Sequence, residues 1–310
     1  MALTSRISLK GSEPAGPEDF LSTSLGVIFP DDVTNQHGDD EHSLIYASPY
    51  LPKPLHIELT EPVGDTERRL FSHYLWNSSL LLAELIERDT LGVLDADRDD
   101  STKATTLGSG VSFDIRGKSI MELGAGTALP SMMAGLLGAE RIAATDYPAA
   151  GVMKTLQENI ARNIQPELSP EASQTTPKSS IVIRGHSWGD LAASDPFCES
   201  NRHAFDRVIA ADCLWMPWQH ENLHKSIDHF LKDDGDARCW IVAGFHTGRE
   251  KMKDFFTEKA LGQVGLKVER IWERDCDGQE REWSWDRDED VTVRKRWLVV
   301  SELRRTERQA

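Results

Sequence analysis

At 310 residues with 39% apolar composition, the chain can form one large α/β domain with an extension, or two small domains. Thirty-five basic against 51 acidic residues leave a net charge of −16, which argues against a general nucleic-acid binder, since phosphate contacts need cations. Four cysteines without C-x-x-C spacing suggest core thiols rather than zinc or disulfides. No apolar run approaches a membrane span and no apolar signal core opens the chain, so a cytoplasmic protein is expected.

Residues 1–54 read as a flexible N-terminal extension. Met1 to Glu18 are rich in Ser, Gly and Pro and are expected to be disordered, and Tyr46 to Pro54 carry three prolines. Thr66 to Glu87 read as helical with a break near Trp76, Leu81, Leu82, Leu85 and Ile86 forming its stripe. Asn77-Ser78-Ser79 matches a glycosylation sequon, which means little without a secretion signal. Residues 55–305 are expected to form the main domain, with insert loops near 95–110 and 165–180. Ser119 to Leu123 form a short apolar strand, followed by a glycine turn and a helix from Ser131 to Leu137. Arg141 to Thr145 form a second strand, and Val152, Leu156 and Ile160 share one face of the next helix. Further strands are expected at Ile181 to Ile183, Arg207 to Ala211 and Cys239 to Phe245, with a helix Glu221 to Leu231 between the last two. Leu266 to Trp272 and Val291 to Leu303 alternate as a final antiparallel pair. The alternation predicts a doubly wound, Rossmann-like, mostly parallel seven-stranded sheet with a C-terminal antiparallel hairpin.

The organising stretch is Ile120-Met121-Glu122-Leu123-Gly124-Ala125-Gly126-Thr127-Ala128-Leu129-Pro130. Gly124 and Gly126 let the backbone turn tightly against a ligand, and Pro130 suits the first turn of a helix. Asp146 ends the second strand 22 residues after Gly124, where a carboxylate meets ribose hydroxyls in nucleotide-binding sheets. A dinucleotide fingerprint needs glycine at position 129, and this chain has Leu129. In such sheets ligands lie at the carboxyl ends of the strands. Gly124 to Gly126, Asp146, Trp188 and Ala211-Asp212 all sit at such ends. The plainer alternatives are a helix cap for Asp146, a core ring for Trp188 or Trp76, and a turn-orienting role for Glu122.

Glu122 followed by Leu-Gly-x-Gly resembles motif I of class I S-adenosylmethionine (SAM) methyltransferases, with Ala128 where a third glycine is usual. Leu75-Trp76-Asn77, Thr145-Asp146-Tyr147-Pro148, Glu158-Asn159-Ile160, Trp188-Gly189 and Ala211-Asp212-Cys213 extend the likeness over roughly residues 55–303. Together they resemble the seven-β-strand protein lysine methyltransferases, especially the fungal subgroup labelled nicotinamide N-methyltransferase-like. Some members modify the N-terminus and a nearby lysine of a translation elongation factor. The resemblance implies SAM as cofactor, contacted by Trp76, Glu122, Gly124, Ala125, Gly126, Asp146, Trp188 and Ala211. It implies an amine acceptor, either a lysine or N-terminal amine of a protein or a small molecule. A monomer is expected, with charge and hydropathy opposing a nucleic-acid or membrane partner. Many members carry Asp-x-x-Tyr where this chain has Asp212-Cys213-Leu214-Trp215.

An acid and an aromatic wall can hold a cationic amine and orient it once neutral, which makes Asp212 and Trp215 the candidates for handling the acceptor. His246 is a weaker one. Between Glu273 and Asp290 nine acids and three arginines give a net of −6; this is either a solvated turn or a lure for basic partners. A SAM-binding protein that works without catalysis is the remaining alternative.

Overall fold

A computed structural model describes residues 2–10, 35–38, 43–59, 74–93, 107–108, 110–170 and 179–306. The first strands are β1 (Ile7–Leu9), β2 (Gln36–His37), β3 (Leu44–Tyr46), β4 (Leu55–Ile57) and β5 (Leu75–Trp76). The central strands follow as β6 (Ser119–Leu123), β7 (Arg141–Asp146), β8 (Ser180–Gly185), β9 (Arg207–Ala211) and β10 (Arg238–Gly244). The last are β11 (Leu266–Asp275), β12 (Glu280–Glu282) and β13 (Trp297–Arg305). The longer helices are α1 (Asn77–Leu91), α2 (Leu129–Leu136), α3 (Ala150–Asn163) and α4 (His220–Phe230).

The main sheet has eight strands in the order β12-β11-β13-β10-β9-β6-β7-β8. From β8 to β10 the strands run parallel, and β13, β11 and β12 are each antiparallel to their neighbours. Every residue of β6 and β9 is buried, as expected for strands covered on both faces, whereas edge strand β8 alternates exposed and half-buried positions. The chain walks outward from β6 through β7 to β8, then returns to the other side of β6 for β9. Between β6 and β9 the strand order reverses, so a crevice opens at their carboxyl ends.

Within the expected helix Thr66 to Glu87, Leu75–Trp76 is strand β5 and the helix begins at Asn77, while residues 66–73 lie outside the described residues. Three further elements differ from the sequence expectation. Short β12 adds an eighth strand, pairing Trp272 with Glu282. Val291–Lys295 is a helix, and the final strand starts only at Trp297. The Asp290 carboxylate accepts the Thr292 N–H at 2.8 Å and caps that helix, a local bond that competes with the alternating strand pattern.

The third of these is the N-terminal segment. Residues 2–10 do not behave as a disordered arm: β1 pairs with β3 and β3 with β4 in a small antiparallel sheet. Leu3 is buried, and its N–H donates to the Cys276 carbonyl at 2.7 Å. The buried Arg6 guanidinium donates to Glu87 at 3.1 Å and to the Tyr46 hydroxyl at 3.2 Å, and pairs with Glu84 at 3.4 Å. The Ser/Gly/Pro-rich composition hides this, because a few anchors rather than an apolar run hold the segment. Residues 11–18 of that arm, 94–106 and 109 of the first insert loop, and 171–178 of the second lie outside the described residues. The retained end of the first loop packs on β12, where the Leu107 N–H donates to Glu280 at 2.9 Å.

Candidate active site

The turn after β6 is built on left-handed backbone, with φ of +75° at Gly124, +53° at Gly126 and +63° at Ala128. At Gly124 space is as restrictive as torsion. A Cβ there would lie 2.7 Å from Cys213 Sγ and 3.0 Å from the Trp188 ring. The turn is anchored to β7: the Gly124 and Ala125 N–H groups donate to the Thr145 carbonyl at 3.0 and 2.9 Å.

Asp146 closes this arrangement. One carboxylate oxygen accepts the Gly126 N–H at 2.7 Å and the other accepts the Tyr147 N–H at 2.6 Å. It does not cap α3, whose N-cap position is Ala149 and carries no side-chain cap. Burial pushes its pKa up to about 6, against the pull of the two N–H donors.

Glu122, expected to contact the cofactor, is not among the residues that line the cavity. It is fully buried and accepts the N–H of Ser131 at 3.1 Å together with the Ser131 hydroxyl. Ser131 stands in the first turn of α2, so this carboxyl fills the positive end of that helix. Burial pushes the Glu122 pKa up to about 8, and its other oxygen is buried without a hydrogen-bond partner. A pyrophosphate therefore finds the helix terminus already taken, and Leu129 is packed in the core where a dinucleotide site needs glycine.

The remaining walls come from the other strand ends. After β8, Trp188 lines the cavity and Gly189 takes φ +79°. The Ser226 hydroxyl on α4 accepts the Gly189 N–H at 2.9 Å and lies 3.0 Å from His186 Nε2. Burial lowers the pKa of that imidazole to about 4, so at neutral pH it is an uncharged wall.

After β9, Ala211 and Asp212 line the cavity. Asp212 adopts φ +61°, a strained conformation for a residue with a side chain. Its Oδ1 accepts the Ser78 hydroxyl and the Gly244 N–H, both at 2.9 Å, and its own N–H donates to the Val242 carbonyl at 2.8 Å. Trp215 and Met216 continue the wall, and Trp76 enters from β5, which pairs with β2.

These residues enclose a cavity of about 280 Å³ open to the surface. Of the residues singled out from the sequence, Trp76, Gly124 to Gly126, Asp146, Trp188, Ala211, Asp212 and Trp215 line it, and Glu122 does not. The side chain of His246 lies outside the described residues. Sequence reasoning missed Asn222 on α4 and Ser79 on α1, which line the cavity, and Ser78 behind Asp212. The run of small polar residues opening α1, read only as a sequon, was the available signal.

The acidic segment from Glu273 is partly neutralised by arginines inside and outside it. Buried Glu273 accepts from Arg249 at 2.7 Å and Arg281 at 2.6 Å, and Glu289 pairs with both arginines. None of its residues lines the cavity.

Among the described residues lining the cavity there are two carboxylates and no lysine or arginine. That balance suits a cationic sulfonium ligand with ribose hydroxyls and opposes a dinucleotide. A glycine turn and an acid flanking the switch point of a Rossmann-like sheet define the class, an enzyme that transfers methyl groups from SAM. The sequence profile of a family described as lysine methyltransferase matches residues 63–260. A protein N-terminal and lysine N-methyltransferase EFM7 from Candida glabrata is 32% identical over 257 residues, spanning 82% of this chain and 87% of the relative. Its counterpart in Gibberella zeae is 28% identical over 216 residues, 66% of this chain and 70% of the relative. For Kluyveromyces lactis the figures are 26% over 261 residues, 82% and 80%. The chain belongs to the lysine methyltransferase family. No helix among the described residues is long and apolar enough to cross a membrane.

Proposed function

We propose that this enzyme methylates an amine of a protein, a lysine side chain or an N-terminal amine, acting as a monomer in the cytoplasm with no nucleic-acid or membrane partner. A net charge of −16 supports the exclusion of nucleic acid, and the relatives' names support a protein acceptor. Residues 55–305 are its catalytic domain, braced by β1 and β3.

The observation that carries the reading is one cavity with the Asp146-bound glycine turn on one wall and Asp212 with Trp215 on another. In this reading Asp146 holds the ribose hydroxyls, and the backbone of Gly124 to Gly126 passes the methionine portion. Trp188 and Ala211 flank the adenine side, and Trp76 covers the methionine end. When bound, SAM supplies a methyl group activated by its sulfonium. The protein's part is to align the incoming nitrogen and exclude water. A lysine has a reference pKa of about 10.4 and must release its proton to solvent before its nitrogen attacks the methyl group. Asp212, fixed through Oδ1 by Ser78 and Gly244, receives the ammonium and then stabilises the positive charge that grows on nitrogen. Trp215 supplies an aromatic face for the same cation. Its indole lacks the hydroxyl of the tyrosine that many family members carry.

The test is incubation with methyl-labelled SAM and a cell extract, followed by separation of protein from small molecules. Label in protein supports the reading. Label confined to small molecules would refute it.

A further inference from the structure

Next to the cavity-lining Trp215 stands an indole that neither the fold nor the transfer step requires. Trp218 is 71% exposed, although an indole carries more apolar area than most side chains and is seldom left in water. Pro217 opens the short 3-10 turn Pro217–Gln219 that projects it. Its ring meets the Trp215 ring edge-on, with centroids 6.4 Å apart and planes at 90°. Trp215, Met216 and Gln219 line the cavity. One indole therefore lines the cavity while its neighbour is exposed to solvent. Glu221, three residues on in the first turn of α4 and 72% exposed in its side chain, adds a surface carboxylate to this stretch of chain. Its ion pair with Lys225 is a surface i,i+4 contact of the weak kind that an arriving cation displaces.

We propose that Trp218 is an acceptor-docking residue that receives a lysine or arginine side chain two positions from the methylated residue of the protein substrate. The proposal rests on the protein-acceptor reading above and narrows it to a basic sequence context. An extended peptide points residues i and i+2 to one side, about 6.6 Å apart, close to the 6.4 Å between the two rings. With the accepting amine on Trp215, the next side chain on that face reaches Trp218. An exposed indole attracts a guanidinium or ammonium through its ring face. The protein's net charge of −16 favours the same partner.

The experiment compares the wild type with Trp218→Ala and Trp218→Tyr. Initial rates of label transfer from SAM into extract protein are measured against two competitors, the blocked peptides Ala-Arg-Ala-Lys-Ala and Ala-Glu-Ala-Lys-Ala. For the wild type the arginine peptide should inhibit at lower concentration than the glutamate peptide. Trp218→Ala should need about five- to tenfold more of the arginine peptide, and Trp218→Tyr should stay near wild type. SAM affinity and melting temperature should not change in either variant, which separates docking from a structural role. Equal potency of the two peptides on the wild type, equal potency of the arginine peptide on wild type and Trp218→Ala, or no inhibition at all would overturn the inference and leave the protein-acceptor reading standing. Label appearing only in small molecules would overturn both.

Discussion

Asp146 offers the sharpest test of the cofactor end of the cavity. Its two oxygens already hold the Gly126 and Tyr147 N–H groups, and it lines the cavity. Hydroxyl-to-carboxylate bonds of this kind contribute about 1.5–3 kcal/mol, so Asp146→Ala should weaken SAM binding roughly ten- to a hundredfold. The pH dependence follows from its pKa, raised to about 6 by burial. SAM hydroxyls need the ionised carboxylate, so affinity is full above that value and falls as pH drops through it. At pH ~5 about one tenth of the carboxyl is ionised, and affinity should fall roughly tenfold. Calorimetric titration of SAM between pH ~5 and ~8, on wild type and Asp146→Ala, measures both effects. The same affinity at every pH, together with an unchanged Kd in the variant, would refute the assignment. NAD should give no heat in either protein.

Asp212→Asn keeps an oxygen to accept from Ser78 and Gly244 and removes only the charge. SAM affinity should hold while single-turnover methyl transfer slows on the order of a hundredfold, about 2.7 kcal/mol of barrier; equal turnover would reduce Asp212 to a structural role. Glu122, raised from 4.5 to about 8, holds a proton in the folded state that the unfolded chain releases in that window. Its contribution to stability is therefore fully present below about 4.5 and lost as pH rises through about 8. Glu122→Gln should flatten the fall in melting temperature across that window relative to wild type, with SAM binding unchanged; parallel curves would contradict it. Arg6→Ala strands buried Glu87 without its cation and should cost about 3–5 kcal/mol of stability. Adding Glu87→Gln should recover much of that in thermal melts, and a melt unchanged by Arg6→Ala would show that the N-terminal segment contributes nothing.

What was readable in the sequence follows from how each part is held. β9 spans Arg207–Ala211, as its apolar run indicates, because a strand buried on both faces has no alternation to misread. The glycine turn and Asp146 were legible because backbone torsion and carboxylate placement restrict residue type at those positions. Spacing located Glu122 beside the turn, but which face of β6 carries it, and so its bond to Ser131 of α2, is set by the fold. The small N-terminal sheet was hidden because Leu3 and Arg6 act through partners far along the chain, such as Cys276 and Glu87. The acidic segment likewise looked like free charge, since its neutralising Arg249 comes from before β11.

The central claim is the chemistry of the acceptor, and amino-acid analysis of the labelled product tests it most directly. The purified enzyme would label extract protein with methyl-labelled SAM, and the labelled fraction would be hydrolysed and its methylated residues identified. The account predicts label on lysine ε-nitrogen or on the α-nitrogen of an N-terminal residue, with none for Asp212→Asn at the same single-turnover time. Label on carboxyl, thiol or guanidinium groups, or equal labelling by that variant, would contradict it.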